Sequence, residues 1–142
     1  MKFINRKSEL EARNEKWESG DPQMVILYGK RRVGKTELMK QFGKKKPFVY
    51  FLADKRNQIE QLREFGRIVG EFSRDTVLVK HGFTDWIEAF QYLKNLNKQF
   101  VLAVDEYPYL VESDPATSSL FQKGWDVYLK ESGIFLLLSG SS

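Results

Sequence analysis

An apolar run, Met24-Val25-Ile26-Leu27-Tyr28, leads into Gly29-Lys30-Arg31-Arg32-Val33-Gly34-Lys35-Thr36, and Glu37-Leu38-Met39-Lys40-Gln41-Phe42 leads out with helical character. Strand, glycine-rich loop and helix in this order are the context a phosphate-binding loop requires. The two glycines let the chain curl so that successive backbone N–H groups face inward, and the helix that follows adds the positive end of its dipole. In this pattern the lysine, Lys35, reaches the β- and γ-phosphates and the hydroxyl of Thr36 binds Mg²⁺. The candidate nucleotide contacts are therefore Gly29, Arg31, Arg32, Val33, Gly34, Lys35, Thr36 and Glu37. An ordinary glycine turn is the bland alternative, and the flanking strand and helix argue against it.

A second constellation supplies what the loop lacks. The apolar strand Phe100-Val101-Leu102-Ala103-Val104 ends in Asp105-Glu106. A nucleoside triphosphatase needs such a pair opposite its phosphate loop: Asp105 to hold Mg²⁺ and Glu106 to orient and activate water. Alone the pair is weak evidence, because many buried strands end in an acidic residue.

Strands and helices alternate along the chain. A capping box at Ser8-Glu9-Leu10-Glu11 opens a helix through about Trp17, and Gly20-Asp21-Pro22 turns into a strand over 23–28. The loop helix is expected over 35–42 with Gly43 as its stop, and 47–53 as the next strand. Asn57 caps a helix bearing Leu62, Phe65, Val69 and Phe72 on one face. Val77-Leu78-Val79 is an apolar run without a firm assignment. Thr84-Asp85 opens a helix with Trp86, Ala89, Phe90 and Leu93, and another is expected over 118–130. Gly133 precedes the last strand, 134–138.

Unbroken apolar strands alternating with helices predict an α/β fold, a parallel sheet covered on both faces. The strand at 47–53 intervenes between the loop and Asp105, which matches the phosphate-loop class with an additional strand between the loop strand and the Asp strand. Strand 134–138 is the natural insert, and its end, Ser139-Gly140-Ser141-Ser142, would then lie near the γ-phosphate. Ser141 is the expected γ-phosphate sensor, with Ser139 as rival and a polar turn as the bland reading.

Composition narrows the classes. The chain has 142 residues, enough for one domain, with no cysteine and a single histidine, so disulfides and cysteine-ligated metals are excluded. The net charge of +4 is small and spread out, and its densest cluster, Lys44-Lys45-Lys46, sits where cations suit a helix C-terminus. No apolar signal segment or run of membrane-spanning length occurs, so a cytoplasmic protein is the expectation. Trp17, Trp86 and Trp125 read as core, and His81 as a loop or strand-end residue.

Taken together, these pieces resemble the archaeal-type AAA-related ATPases, a branch of the additional-strand class near the origin-recognition and STAND ATPases. The resemblance rests on Phe3-Ile4-Asn5-Arg6-Lys7-Ser8-Glu9-Leu10, the loop, Tyr50-Phe51-Leu52-Ala53, Val104-Asp105-Glu106-Tyr107-Pro108-Tyr109-Leu110, and Leu138-Ser139-Gly140-Ser141-Ser142. It implies a three-layer P-loop sandwich with strand order 5-1-4-3-2, ATP and Mg²⁺ as ligands, and hydrolysis in the full-length protein. It also places Phe3, Asn5 and Arg6 near the adenine. Relatives continue with a fifth strand, a helical lid and often a winged-helix DNA-binding domain. Residues 1–142 are therefore expected to be the ATPase core, truncated before strand 5 and the lid. A homo-oligomer or partner would complete the sheet edge, DNA would be reached only through the missing part, and no membrane is involved.

Two other readings stay open: a binding module that holds nucleotide without hydrolysis, and a P-loop small-molecule kinase. The kinase needs an arginine-rich lid, whereas no arginine follows Arg74.

Overall fold

The computed structural model describes residues 13–28 and 34–140. Helix α1 is seen over 13–18, and the elements that follow are β1 (Gln23–Leu27), α2 (Lys35–Gly43), β2 (Phe48–Leu52), α3 (Gln58–Ser73), α4 (Thr76–His81) and α5 (Trp86–Asn95). Then come β3 (Phe100–Asp105), α6 (Pro108–Ser113), α7 (Thr117–Val127), a 3-10 turn (Leu129–Glu131) and β4 (Ile134–Ser139). The four strands form one parallel sheet in the order β1-β4-β3-β2, so β4 sits between the loop strand and the Asp strand as expected.

Side chains alternate across each strand, and this parity sorts the core into two layers. Phe100, Leu102 and Val104 of β3, with Ile134, Leu136 and Leu138 of β4, pack against α3, α5 and α7 through Phe65, Val69, Trp86, Phe90 and Phe121. The opposite set, Val101, Ala103, Phe135 and Leu137, packs against Met39 and Phe42 of α2. Both central strands are buried throughout, which is why they read as unbroken apolar runs. Continuing the second parity by one step puts Asp105 and Ser139 on the α2 face, and β2 adds Phe48 and Tyr50 to that face.

Side-chain caps open α3, α4 and α5. Asn57 Oδ1 accepts from the Glu60 N–H at 2.9 Å, and Asp85 Oδ1 from the Glu88 N–H at 2.7 Å. The unassigned run Val77-Leu78-Val79 lies in a helix, α4. Its β-branched residues favour a strand, but Asp75 caps it through the Leu78 N–H at 3.1 Å and Gly82, at φ 69°, ends it. His81 belongs to the last turn of α4 rather than to a loop or strand end. Helix α2 includes Gly43, expected as its stop, and so runs one residue beyond the expected 35–42, and the left-handed residue falls at Lys45. The expected helix over 118–130 is two pieces, α7 and the 3-10 turn. Helix α6, absent from the sequence reading, starts with Pro108 in its first turn, where a missing N–H costs nothing.

Of the tryptophans, Trp86 is buried, while Trp17 and Trp125 are partly buried against the two layers. Among the described residues no helix is long and apolar enough to cross a membrane. Strand β1 is an edge of the sheet, and Ile26 and Tyr28 there are 38% and 52% exposed.

Candidate functional site

The candidate site lies at the C-terminal ends of β1, β4 and β3, facing the N-terminus of α2. Gly34 adopts a left-handed conformation (φ 80°, ψ 19°) as the N-cap of α2, and among the described residues no side chain caps the helix. A Cβ there would meet nothing within 4 Å, so backbone conformation rather than crowding asks for glycine. An uncapped helix N-terminus behind a left-handed glycine is a surface suited to an anion.

Lys35 follows directly and is only 5% exposed, unusual burial for a lysine. Its ammonium donates to the carbonyl of Gly140, just past β4. The Gly140 N–H donates to the Leu27 carbonyl at 3.0 Å, so the end of β4 is tied to the end of β1. Glu37 lies exposed in the first turn of α2.

Asp105 is the hub. It is 1% exposed, and each carboxylate oxygen accepts two hydrogen bonds. Oδ2 accepts from the Thr36 hydroxyl and from the Tyr50 hydroxyl, both at 2.5 Å. Oδ1 accepts from the Ser139 hydroxyl and from the Glu106 N–H, the latter at 3.0 Å. Burial by itself pushes a carboxyl pKa up, but the bonds from Ser139, Thr36, Tyr50 and the Glu106 N–H together outweigh it and hold Asp105 below the usual carboxylate range. Burial first, then the bond to Asp105, pushes the Tyr50 phenol well above its ordinary value, so it is a donor at neutral pH.

Glu106 has a positive φ of 57°, rare for a non-glycine residue. Its N–H also reaches Ser139 Oγ at 3.1 Å, and its carbonyl accepts from the Tyr109 N–H at 3.0 Å. The Tyr107 N–H donates to the Ser139 carbonyl at 2.8 Å. The strained turn after β3 is thus stitched to β4 on both sides, as a sparsely populated conformation at a functional site requires.

The structure brings together Gly34, Lys35, Thr36, Asp105, Glu106 and Ser139 from the sequence-predicted set. Gly29, Arg31, Arg32, Val33 and Ser141, with the opening residues Phe3, Asn5 and Arg6, lie outside the described residues. Ser139, the rival to Ser141, is in direct contact with Asp105. Tyr50 was not singled out for chemistry by the sequence, where it reads as one aromatic in an apolar strand.

The donor set fits a triphosphate with a hard divalent cation. A hydroxyl and one carboxylate are the oxygen ligands with which Mg²⁺ is held beside substrate phosphates, and the ammonium and open helix end suit the anion. No cluster of three or more His, Asp or Glu capable of holding a metal unaided occurs among the described residues.

Residues 3–142 match the model of a family described as an ATPase domain predominantly from Archaea. The chain belongs to this family. An uncharacterized protein of Methanocaldococcus jannaschii is 30% identical over 140 residues, covering 99% of this chain and 30% of that protein. Among solved structures, a Walker-type ATPase of Pyrococcus abyssi superposes with a TM-score of 0.62 at 20% identity, over 94% of this chain and 44% of that one. The ORC2 protein of Aeropyrum pernix, in ADPNP–ADP complexes, gives 0.65 at 15% identity, over 96% and 40%. At these identities the two structures speak for the fold. The ATPase domain described here thus spans less than half the length of each of these proteins, and it is a nucleotide-binding core of the P-loop α/β class.

Proposed function

We propose that this domain binds ATP with Mg²⁺ at the α2 N-terminus and hydrolyses it in the full-length protein. The observation that carries this reading is the contact of Thr36 with Asp105, a hydroxyl and a buried carboxylate placed beside the buried ammonium of Lys35. The residues from Gly29 to Thr36 wrap the phosphates, with Arg31, Arg32 and Val33 in the loop and Glu37 in the first turn of the helix. Lys35 exchanges the Gly140 carbonyl for phosphate oxygens. Thr36 and Asp105 would hold the cation, which would supply charge neutralisation on the phosphates.

Glu106 takes a proton from water as its oxygen attacks the γ-phosphorus. The bond from that phosphorus to the bridging oxygen breaks, and its electron pair leaves with ADP. Ser139 holds the Asp105 carboxylate and the Glu106 backbone in one geometry, and Ser141 would sense the γ-phosphate. The exposed β1 edge with Ile26 and Tyr28 supports the expectation that further chain or a second subunit pairs with β1 in the whole protein. Any contact with DNA would belong to that larger assembly, and a cytoplasmic location remains the reading.

The test is calorimetric titration of Mg²⁺-ATP into wild type and Lys35→Ala, followed by phosphate release. Binding lost in Lys35→Ala supports the site, and equal affinity in both overturns it. Intact binding without phosphate release would favour the nucleotide-holding module, and phosphoryl transfer to an added acceptor would favour the kinase.

A further inference from the structure

Tyr50 has no role in the nucleotide chemistry given above, yet its hydroxyl touches the centre of the site. It lies on β2, two residues before the level of Asp105 in the β2–β3 register, where Tyr50 pairs with Ala103 and Leu52 with Asp105. The parity of β2 puts its ring on the α2 face, and its hydroxyl reaches Asp105 Oδ2 at 2.5 Å. The ring is held by two neighbours. Lys40 Nζ of α2 lies 4.9 Å from its centroid, and the Phe48 ring stacks on it at 6.3 Å.

The four bonds to the carboxylate have different duties. Ser139 and the Glu106 N–H secure Oδ1 from the β4 side. On Oδ2 the Thr36 hydroxyl must also present a lone pair to a cation, whereas the Tyr50 hydroxyl donates to the carboxylate from a different strand. A carboxylate anchored at Oδ1 alone can still swing Oδ2 away from Thr36. A donor fixed from the neighbouring strand prevents that swing.

We propose that Tyr50 is a positioning residue for the metal half of the site: its hydroxyl fixes the Asp105 carboxylate facing Thr36 and thereby sets the affinity for the divalent cation. This inference rests on the metal reading of Thr36 and Asp105 given above. Outer-shell donors of this kind typically govern metal affinity by about 10–100-fold. Tyr50→Phe removes one oxygen and keeps the ring beside Lys40 and Phe48.

The experiment is electron paramagnetic resonance titration of Mn²⁺ into the protein with a non-hydrolysable ATP analogue, for wild type, Tyr50→Phe and Thr36→Ala. Nucleotide affinity in chelator and the thermal midpoint are measured beside it. The expected result is Mn²⁺ binding weakened about 10-fold in Tyr50→Phe, with nucleotide affinity in chelator unchanged and a midpoint lowered only by the loss of one bond to Asp105. Mn²⁺ affinity equal to wild type in Tyr50→Phe, while Thr36→Ala loses it, would overturn the role of Tyr50 and leave the metal site standing. A fall in nucleotide affinity by the same factor with and without metal would make Tyr50 merely structural, and also overturns the proposal. Wild type that binds no Mn²⁺-nucleotide removes the proposal together with the reading beneath it.

Discussion

The Thr36 hydroxyl donates to the Asp105 carboxylate at 2.5 Å, although 69 positions separate the two residues. One end of this contact is the first turn of an uncapped helix and the other is the buried end of a central strand. A charge at the end of β3 is costly unless it is hydrogen-bonded, and four donors meet that need. The buried carboxylate is therefore satisfied by the chain's own donors.

The turn at Glu106 separates backbone strain from chemistry. Glu106→Gln and Glu106→Gly both remove the carboxylate, so both should retain ATP binding and lose phosphate release. The left-handed backbone costs a side-chain-bearing residue roughly 1–2 kcal/mol, and glycine loses about 0.4–1 kcal/mol of that advantage through its freer unfolded chain. Glu106→Gly should consequently be about 0.5–1 kcal/mol more stable than Glu106→Gln, as read from urea unfolding midpoints. Equal stability would show that the turn stores no strain.

Ser139 couples Asp105 to the Glu106 backbone. Ser139→Ala removes the donor to Oδ1 and the second acceptor of the Glu106 N–H in a buried place. We expect a loss of about 2 kcal/mol in urea unfolding, in the range for hydrogen bonds to charged groups. Phosphate release should fall more steeply than ATP affinity. An unchanged midpoint would mean that water replaces the hydroxyl.

Acid should weaken the fold through Asp105. Its folded pKa lies below the ordinary value, so the unfolded chain takes up the proton first as pH falls. The stabilisation is fully present above the unfolded value of about 3.9 and disappears as pH drops through the lower folded value. The thermal midpoint of wild type should therefore fall more steeply between about pH 5 and pH 3 than that of Asp105→Asn. Parallel slopes would contradict the depressed pKa.

Packing between α5 and α7 depends on Gly124. A Cβ there would lie 2.2 Å from Cδ2 of Phe90, whose ring is enclosed by Trp86 and Phe121. Alanine gains about 1 kcal/mol of helix propensity, but overpacking costs about 1–3 kcal/mol. Gly124→Ala should be destabilising by about 1 kcal/mol in urea unfolding, since the enclosed ring cannot move aside. A more stable variant would show that the interface is loose.

By itself the sequence determined whatever depends on neighbours along the chain. Asn57 and Asp85 announce their helices because a cap bonds three residues ahead, and the apolar runs of β3 and β4 announce strands covered on both sides. The turn at Gly34 and the helix that starts at Lys35 were legible because a glycine before a helix is a local device. The order β1-β4-β3-β2 is the one that the family resemblance implied for these four strands. Val77-Leu78-Val79 escaped because its propensity favours a strand while Asp75 and Gly82 impose a helix. Only tertiary structure could decide that Ser139 stands against Asp105 and that Tyr50 closes the same carboxylate from β2. Those contacts depend on which strands lie side by side and in what register, and a one-residue slip would turn each side chain to the other face.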